Sequence, residues 1–122
     1  MSNDQVAAVT ADYLSRLPNS PDIYPQGIDL IHQAMLLVQF DAAAYRAASF
    51  LDDRILTPKV RRVWVRFDQV AASARAVRNM RPVHFIFHTG HVGSTLVSRL
   101  LDETGVVLPL REPLPLRVLA NA

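Results

Sequence analysis

The sequence predicts an α/β fold: the βαβ start of a doubly wound parallel sheet, preceded by an α-helical N-terminal region. Two short apolar runs, at 83–87 and 106–110, are rich in residues that favour strands. Between them lies a stripe of apolar residues at helical spacing, Leu96, Val97, Leu100 and Leu101. Strand, helix and strand in this order form a βαβ unit, and parallel strands that are covered on both faces are apolar throughout.

The chain divides into three regions on these patterns. We expect a helical region over 1–58, a strand and helix connector over 59–81, and the start of the βαβ domain over 82–122. A stable sheet normally has about four to six strands, so the two strands of the third region are predicted to be an incomplete sheet. We therefore expect the N-terminal part of a longer protein or a truncated gene product, with a C-terminal portion or self-association covering the sheet.

Three helices are predicted in the first region. The first starts at Ser2, because Ser2 and Gln5 have the spacing of a capping box, and it ends before Pro18. A proline-containing loop over 19–27 follows. Apolar residues at helical spacing over 30–38 predict the second helix, and an alanine-rich third helix is predicted over 41–51.

In the connector, apolar residues recur with a different period. Apolar and polar residues alternate over 60–67, which predicts a half-buried strand with Val63 and Val65 on its inner face. Asp68 is then expected to cap a helix that ends before Arg81 and Pro82.

Composition excludes several classes of protein. Half of the 122 residues are hydrophobic, which is typical of a globular chain. Charged or polar residues interrupt every apolar stretch within about a dozen positions, so no membrane span is predicted. The polar N-terminus lacks the layout of a secretory signal, and zero cysteines exclude a disulfide framework, a thiol nucleophile and a cysteine-based zinc site. We expect a cytoplasmic protein without a metal site.

The charge of the chain is mild. Thirteen basic residues stand against eleven acidic ones, and seven of the basic residues lie between Lys59 and Arg81. A nucleic-acid-binding protein usually has a denser basic face with aromatic residues between the charges. We interpret the basic residues as solvated surface and predict no nucleic-acid partner.

The segment with the clearest chemistry is the loop 88–95, His-Thr-Gly-His-Val-Gly-Ser-Thr. It lies where the first predicted strand ends and the helix begins. The first N–H groups of a helix have no partner within it and the helix dipole is positive there, so a phosphate can bind. Gly90 and Gly93 allow close approach, and the hydroxyls of Ser94 and Thr95 can add hydrogen bonds. A tight turn without a ligand explains the two glycines equally well.

The stretch 84–102 resembles the 5'-phosphosulfate loop of the sulfotransferase family, a P-loop fold in which a strand leads through this loop into a leucine-rich helix. His91 stands where the family has Lys or Arg, and Val92 where it has Ser. The resemblance implies that Gly93, Ser94 and Thr95 bind the 5'-phosphate of the sulfuryl donor, 3'-phosphoadenosine 5'-phosphosulfate. We expect the neighbouring residues Gly90, His91 and Val92 to line the same site.

Two residues are candidates for catalysis. A protonated His91 could stabilise charge on the bridging oxygen during transfer, and the alternative is a surface loop residue. Glu112 follows the second predicted strand, and the carboxyl ends of strands border the ligand crevice of a doubly wound sheet. The resemblance to tyrosylprotein and heparan-type sulfotransferases implies that Glu112 is the base on the acceptor. The alternatives are a helix cap or an ion pair with Arg111.

The predicted function is sulfuryl transfer from a nucleotide-type donor to a hydroxyl-bearing acceptor. No lysine follows Gly93, so the pattern G-x-x-x-x-G-K-[ST] is not met and ordinary ATP or GTP hydrolysis is disfavoured. Two alternatives stay open: another P-loop nucleotide-binding or kinase-like module, and a non-catalytic interaction domain with a degenerate loop. The resemblance places the contacts to the 3'-phosphate beyond Ala122, so we expect the chain alone to be inactive.

Overall fold

The computed structural model describes residues 1–78 and 80–122 and has a mixed α/β fold. The strands are β1 (Ile23–Asp29), β2 (Ala34–Gln39) and β3 (Arg62–Arg66). The helices are α1 (Asn3–Arg16), α2 (Ala42–Ala47), α3 (Phe67–Ala74), α4 (Ser94–Glu103) and α5 (Leu114–Ala120), and a short 3₁₀ helix covers Asp53–Ile55. No helix within the described ranges is long and apolar enough to cross a membrane.

Helix α1 begins as predicted. The Ser2 hydroxyl accepts a hydrogen bond from the Gln5 N–H at 3.3 Å, and the Gln5 side chain accepts one from the Ser2 N–H at 2.8 Å. These two bonds are the predicted capping box. Near the other end of α1, the buried Tyr13 donates its hydroxyl proton to the carbonyl oxygen of Arg61 at 3.2 Å. This contact fixes α1 against the start of β3.

The sheet has the order β1-β2-β3, and both neighbouring pairs are antiparallel. The helix predicted over 30–38 is therefore wrong, because a turn and β2 lie there, and the loop predicted over 19–27 is right only for 19–22, because β1 begins at Ile23. The region 1–58 is consequently not purely helical. Since β2 also pairs with β3, one hydrogen-bonded sheet joins this region to the predicted connector.

The error over β2 has a physical cause. As the central strand, β2 buries Leu36 and Val38 on one face and Leu37 on the other, so it is a continuous apolar run without alternation. Such a run also satisfies helical spacing. In β1, Pro25 is tolerated because β1 is an edge strand, and the register shift between Pro25 and Gly27 is a β-bulge.

Each face of the sheet has its own hydrophobic core. One contains side chains from the sheet, from α2 and from the 3₁₀ helix: Tyr24, Leu36, Val38, Phe40, Tyr45, Leu51 and Ile55. The other lies under α1 and α3 and contains Tyr13, Ile23, Leu37, Val63 and Val65. The sheet is therefore the middle layer of three.

The strand of the connector is as predicted, whereas its helix is shorter than predicted, because α3 ends at Ala74 and does not continue toward Arg81. Strand β3 alternates between exposed and buried residues, with Val63 and Val65 inside, which confirms the predicted half-buried strand. Helix α3 begins at Phe67, one residue before the predicted cap Asp68, and Asp68 instead pairs with Arg66 at 2.7 Å. Helix α2 has Asp41 as its N-cap but ends at Ala47, short of the predicted position 51.

The last third differs most from the prediction. Helix α4 begins at Ser94 and ends before Gly105, as predicted, but neither 83–87 nor 106–110 is a strand. The structure therefore has the broad α/β class, and it does not show the parallel P-loop sheet. The reason is that no strand of the described residues lies beside these segments: their side chains are largely exposed, up to 91% for Phe87, and a strand without a hydrogen-bonded partner is not stable.

Candidate functional site

The predicted phosphate loop has an unusual backbone. Gly90, His91 and Gly93 have φ angles of +87°, +51° and +84°. Glycine adopts this left-handed region freely, whereas a histidine there costs roughly 1 to 2 kcal/mol. At the start of the loop the Gly90 N–H donates a hydrogen bond to Nδ1 of His88 at 3.1 Å. The two glycines and His91 thus turn the chain sharply into α4.

Gly93 is the N-cap of α4. Its carbonyl oxygen accepts the N–H of Val97 at 3.1 Å, which closes the first turn, and no side chain of residues 1–78 or 80–122 caps the helix here. The N–H groups of Ser94, Thr95 and Leu96 precede the first helical hydrogen bond, so the helix itself supplies no acceptor for them. They leave the helix N-terminus available to an anion from outside.

The space around the loop is open. A Cβ atom placed on Gly90 or Gly93 would have no described atom within 4 Å beyond its chain neighbours, and His91, Val92 and Thr95 are exposed. Ser94 is half-buried. The six predicted donor-binding residues thus lie partly in the turn before α4 and partly in its first turn, and most of them are exposed.

Glu112 lies in a different environment. It has a φ of +45° and is exposed, and the chain on both sides of it is hydrogen-bonded to Leu51. The Leu51 N–H donates to the Arg111 carbonyl at 2.9 Å, and the Leu114 N–H donates to the Leu51 carbonyl at 3.1 Å. Within the described ranges, no hydrogen bond or ion pair joins Glu112 to the loop 90–95.

A charged cluster that the sequence did not single out lies beside Glu112. The Arg54 guanidinium donates three hydrogen bonds to the Asp52 carboxylate, at 2.7 to 3.1 Å. These bonds are the main cause that lowers the pKa of Asp52 from 3.8 to about 2, and the charge of Arg117 also lowers it. The same bonds raise the pKa of Arg54, to which the charge of Glu112 also contributes. In the sequence, the Asp-x-Arg spacing of this pair was the signal from which it could have been predicted.

Arg111 is a structural anchor in this fold. Its Nη2 donates to the carbonyl oxygens of Tyr45 and Arg46 at 3.2 and 3.1 Å, where α2 ends. A cation is favoured at the C-terminus of a helix. The structure thus uses half of the Arg111 guanidinium to cap α2. Its Nη1 is buried and has no hydrogen-bond partner among the residues described.

Helix α4 is also held at the C-terminal end of α2. Arg46 Nε lies 3.0 Å from Asp102 Oδ2, and the Asp102 side chain is 19% exposed. The end of α2 therefore holds both α4, through Asp102, and the segment before α5, through Arg111. No group of three or more His, Asp or Glu side chains that could hold a metal ion occurs in the part of the chain that the structure describes.

Comparison of the chain with protein-family models, with curated proteins and with solved structures gives no match. The functional interpretation therefore depends on the chemistry of the loop and of the residues around it.

Proposed function

We propose that the chain is the donor-binding portion of a sulfotransferase-like enzyme. The loop 90–95 holds the 5'-phosphosulfate end of 3'-phosphoadenosine 5'-phosphosulfate, and a hydroxyl group of an acceptor takes up the sulfuryl group, in the cytoplasm. The observation that carries the proposal is the left-handed Gly93 immediately before α4, which leaves the first amides of the helix uncapped. The open space at Gly90 and Gly93 fits a bulky anion.

Three loop residues, and Glu112 outside the loop, have defined tasks in this proposal. The amides of Ser94 and Thr95 and their hydroxyls hold the 5'-phosphate, and the positive end of α4 stabilises its charge. His91 donates a hydrogen bond from its exposed ring to the oxygen that becomes more negative during transfer. When bound, the donor supplies the sulfuryl group. The exposed carboxylate of Glu112 accepts the proton of the acceptor hydroxyl.

The proposal also assigns 83–87 and 106–110 to a parallel sheet. Their exposed apolar side chains support this assignment, because strands of such a sheet are apolar on both faces and need cover from other strands and helices. The other strands would be supplied from outside the described residues.

Calorimetric titration with adenosine 3',5'-bisphosphate, the product nucleotide, tests the proposal. We expect saturable binding that is lost in Gly93→Asp, because the new carboxylate would face the bound phosphate, and weakened in Ser94→Ala. Gly105→Asp is the matched control: Gly105 also has a positive φ, +68°, and open space around it, but it follows the C-terminus of α4. Absence of binding, or equal loss in both aspartate variants, would contradict the proposal. Tighter binding of ATP with Mg²⁺ would favour another P-loop nucleotide-binding module.

A second candidate function is a non-catalytic interaction domain. It is favoured by the large hydrophobic side chains that are exposed between Val83 and Leu119. The largest apolar patch on a typical monomer is roughly 300 to 600 Å², and a larger exposed patch indicates an interaction surface. Concentration-dependent association in sedimentation experiments, together with no response to either nucleotide, would support this candidate over the enzyme.

A further inference from the structure

Among the described strands, β3 has one edge without a partner, and the hydrogen-bonding groups of this edge can be assigned. The Gln39 N–H donates to the Arg61 carbonyl at 3.0 Å, and the Phe67 N–H donates to the Gln33 carbonyl at 2.9 Å. In an antiparallel pair, residues alternate between facing the partner strand and facing away. Because Arg61 and Phe67 face the β2 side, the alternate residues between them, Val63 and Val65, also face it and exchange hydrogen bonds with β2. The N–H and C=O groups of the three intervening residues therefore point outward, and these residues are Arg62, Trp64 and Arg66.

The same three residues present their side chains to solvent. Trp64 is 54% exposed, and its ring reaches across the sheet to Gly27, where a Cβ atom would lie 3.6 Å from Cη2 of Trp64. Beside it runs an open groove of about 600 Å³ with a mainly apolar lining, Met1, Val6, Leu36, Leu56, Arg62, Val63 and Trp64. Backbone donors and acceptors thus lie next to an apolar surface, which is the combination that binds an extended peptide by strand addition.

The charges along this edge select the partner. Lys59, Arg61, Arg62 and Arg66 lie within eight residues without an acidic residue between them. Among the described residues, the one ion pair of these four is that of Arg66 with Asp68, and both of its members are largely exposed. Charged residues on an edge strand normally oppose pairing with a second copy. In an antiparallel pair of two β3 strands centred on Trp64, Arg62 would lie opposite Arg66 of the other copy, which is destabilising.

We propose that the free edge of β3 binds an extended acidic segment of a partner protein as a fourth, antiparallel strand. The recognised pattern is an acidic residue, any residue, an apolar residue, any residue and an acidic residue. The apolar residue packs on Trp64, and the two acidic residues lie opposite Arg66 and Arg62. This interaction is independent of the phosphate loop and goes beyond the sulfotransferase-like function.

The single tryptophan of the chain is a built-in probe of this site. The titrant is a blocked peptide of seven residues with glutamate at its second and sixth positions, valine at the fourth and threonine elsewhere. We expect a saturable blue shift of Trp64 fluorescence that weakens as salt is added. Arg62→Gln should weaken binding roughly two- to fivefold, whereas Arg75→Gln, the same change of charge at the exposed C-cap of α3, should not.

N-methylated peptides separate strand addition from simple charge attraction. Methyl groups on the amides of the second, fourth and sixth residues remove the bonds to β3 and should weaken binding about tenfold or more, whereas methyl groups on the third and fifth should not. Equal binding of both methylated peptides, or no fluorescence change with the parent peptide, would overturn the proposal. Tighter binding of a single-stranded oligothymidine would also overturn it and assign the surface to nucleic acid.

Discussion

The guanidinium of Arg46 in α2 lies 3.0 Å from the carboxylate of Asp102 in α4. This ion pair connects the candidate phosphate loop to the hydrophobic core, because α2 is itself fixed by the buried Tyr45. The Tyr45 hydroxyl donates to the Pro21 carbonyl at 2.6 Å, and its ring packs edge-on against Phe40 at 4.9 Å. The orientation of α4, and with it the direction of the amides after Gly93, thus depends on a contact far along the chain.

Loss of this ion pair should loosen α4 more than the rest of the molecule. Asp102→Asn is expected to lower the free energy of unfolding by about 0.5 to 1 kcal/mol, because the pair is only partly buried. Amide hydrogen exchange should become faster in α4 and not in the sheet. Glu103→Gln is the control, since this neighbouring carboxylate is exposed and makes no ion pair among the described residues. Equal exchange in both variants would contradict the role given to Asp102.

The elements that the sequence predicted correctly have local signals. The capping box of Ser2 and Gln5 fixes the start of α1, the alternation of β3 requires one buried face, and Gly93 marks the start of α4. Each signal depends on residues within a few positions of one another. Interactions between residues that are close in sequence were therefore sufficient to predict these elements.

The predictions that were wrong concern elements that depend on tertiary contacts. Strand β2 has no alternation because both of its faces are covered, one of them by α1 and α3, which lie in other parts of the chain. The bridge from Arg46 to Asp102 joins residues that are too far apart in sequence for any pattern to relate them. Conversely, 83–87 has the composition of a strand but lacks a neighbouring strand in the described part of the chain, so composition alone could not make it one.

The tyrosines should resist ionisation. The chain has three, Tyr13, Tyr24 and Tyr45, and burial raises the pKa of each above its ordinary value of 10. At pH 10 the folded protein should therefore show far less tyrosinate absorbance at about 295 nm than the half-ionised level of free tyrosine. Because the folded pKa values are raised, the corresponding stability is present below pH 10 and is lost as the pH rises further. A half-ionised spectrum at pH 10 with unchanged circular dichroism would contradict this burial.

Asp52 should titrate unusually low. Its pKa is lowered to about 2, first by the hydrogen bonds from Arg54, so its contribution to stability is present above its ordinary pKa of 3.8 and is lost as the pH falls toward 2. Carboxyl carbon chemical shifts followed by NMR should give a midpoint near 2 for Asp52 in the native chain. In Arg54→Gln the midpoint should return toward the ordinary value. A midpoint near 3.8 in the native chain would show that the pair does not form.

Two leucine truncations should separate the core from the exposed surface. Leu37 is fully buried at the centre of the sheet, so Leu37→Ala is expected to cost about 2 to 5 kcal/mol of unfolding free energy. Leu96 in α4 is 62% exposed, so Leu96→Ala should change the unfolding free energy by less than about 0.5 kcal/mol. Urea denaturation measures both. A large loss for Leu96→Ala would mean that α4 is buried in solution, by self-association or by a different packing.

The central claim, that the amides after Gly93 bind a phosphate, is tested most directly by a two-dimensional NMR titration with adenosine 3',5'-bisphosphate. We expect the largest shift changes at the N–H groups of Ser94 and Thr95, absent in Gly93→Asp and retained in Gly105→Asp. Unchanged spectra at saturating nucleotide, or changes centred on Arg54 and Arg117 instead of the loop, would contradict the claim.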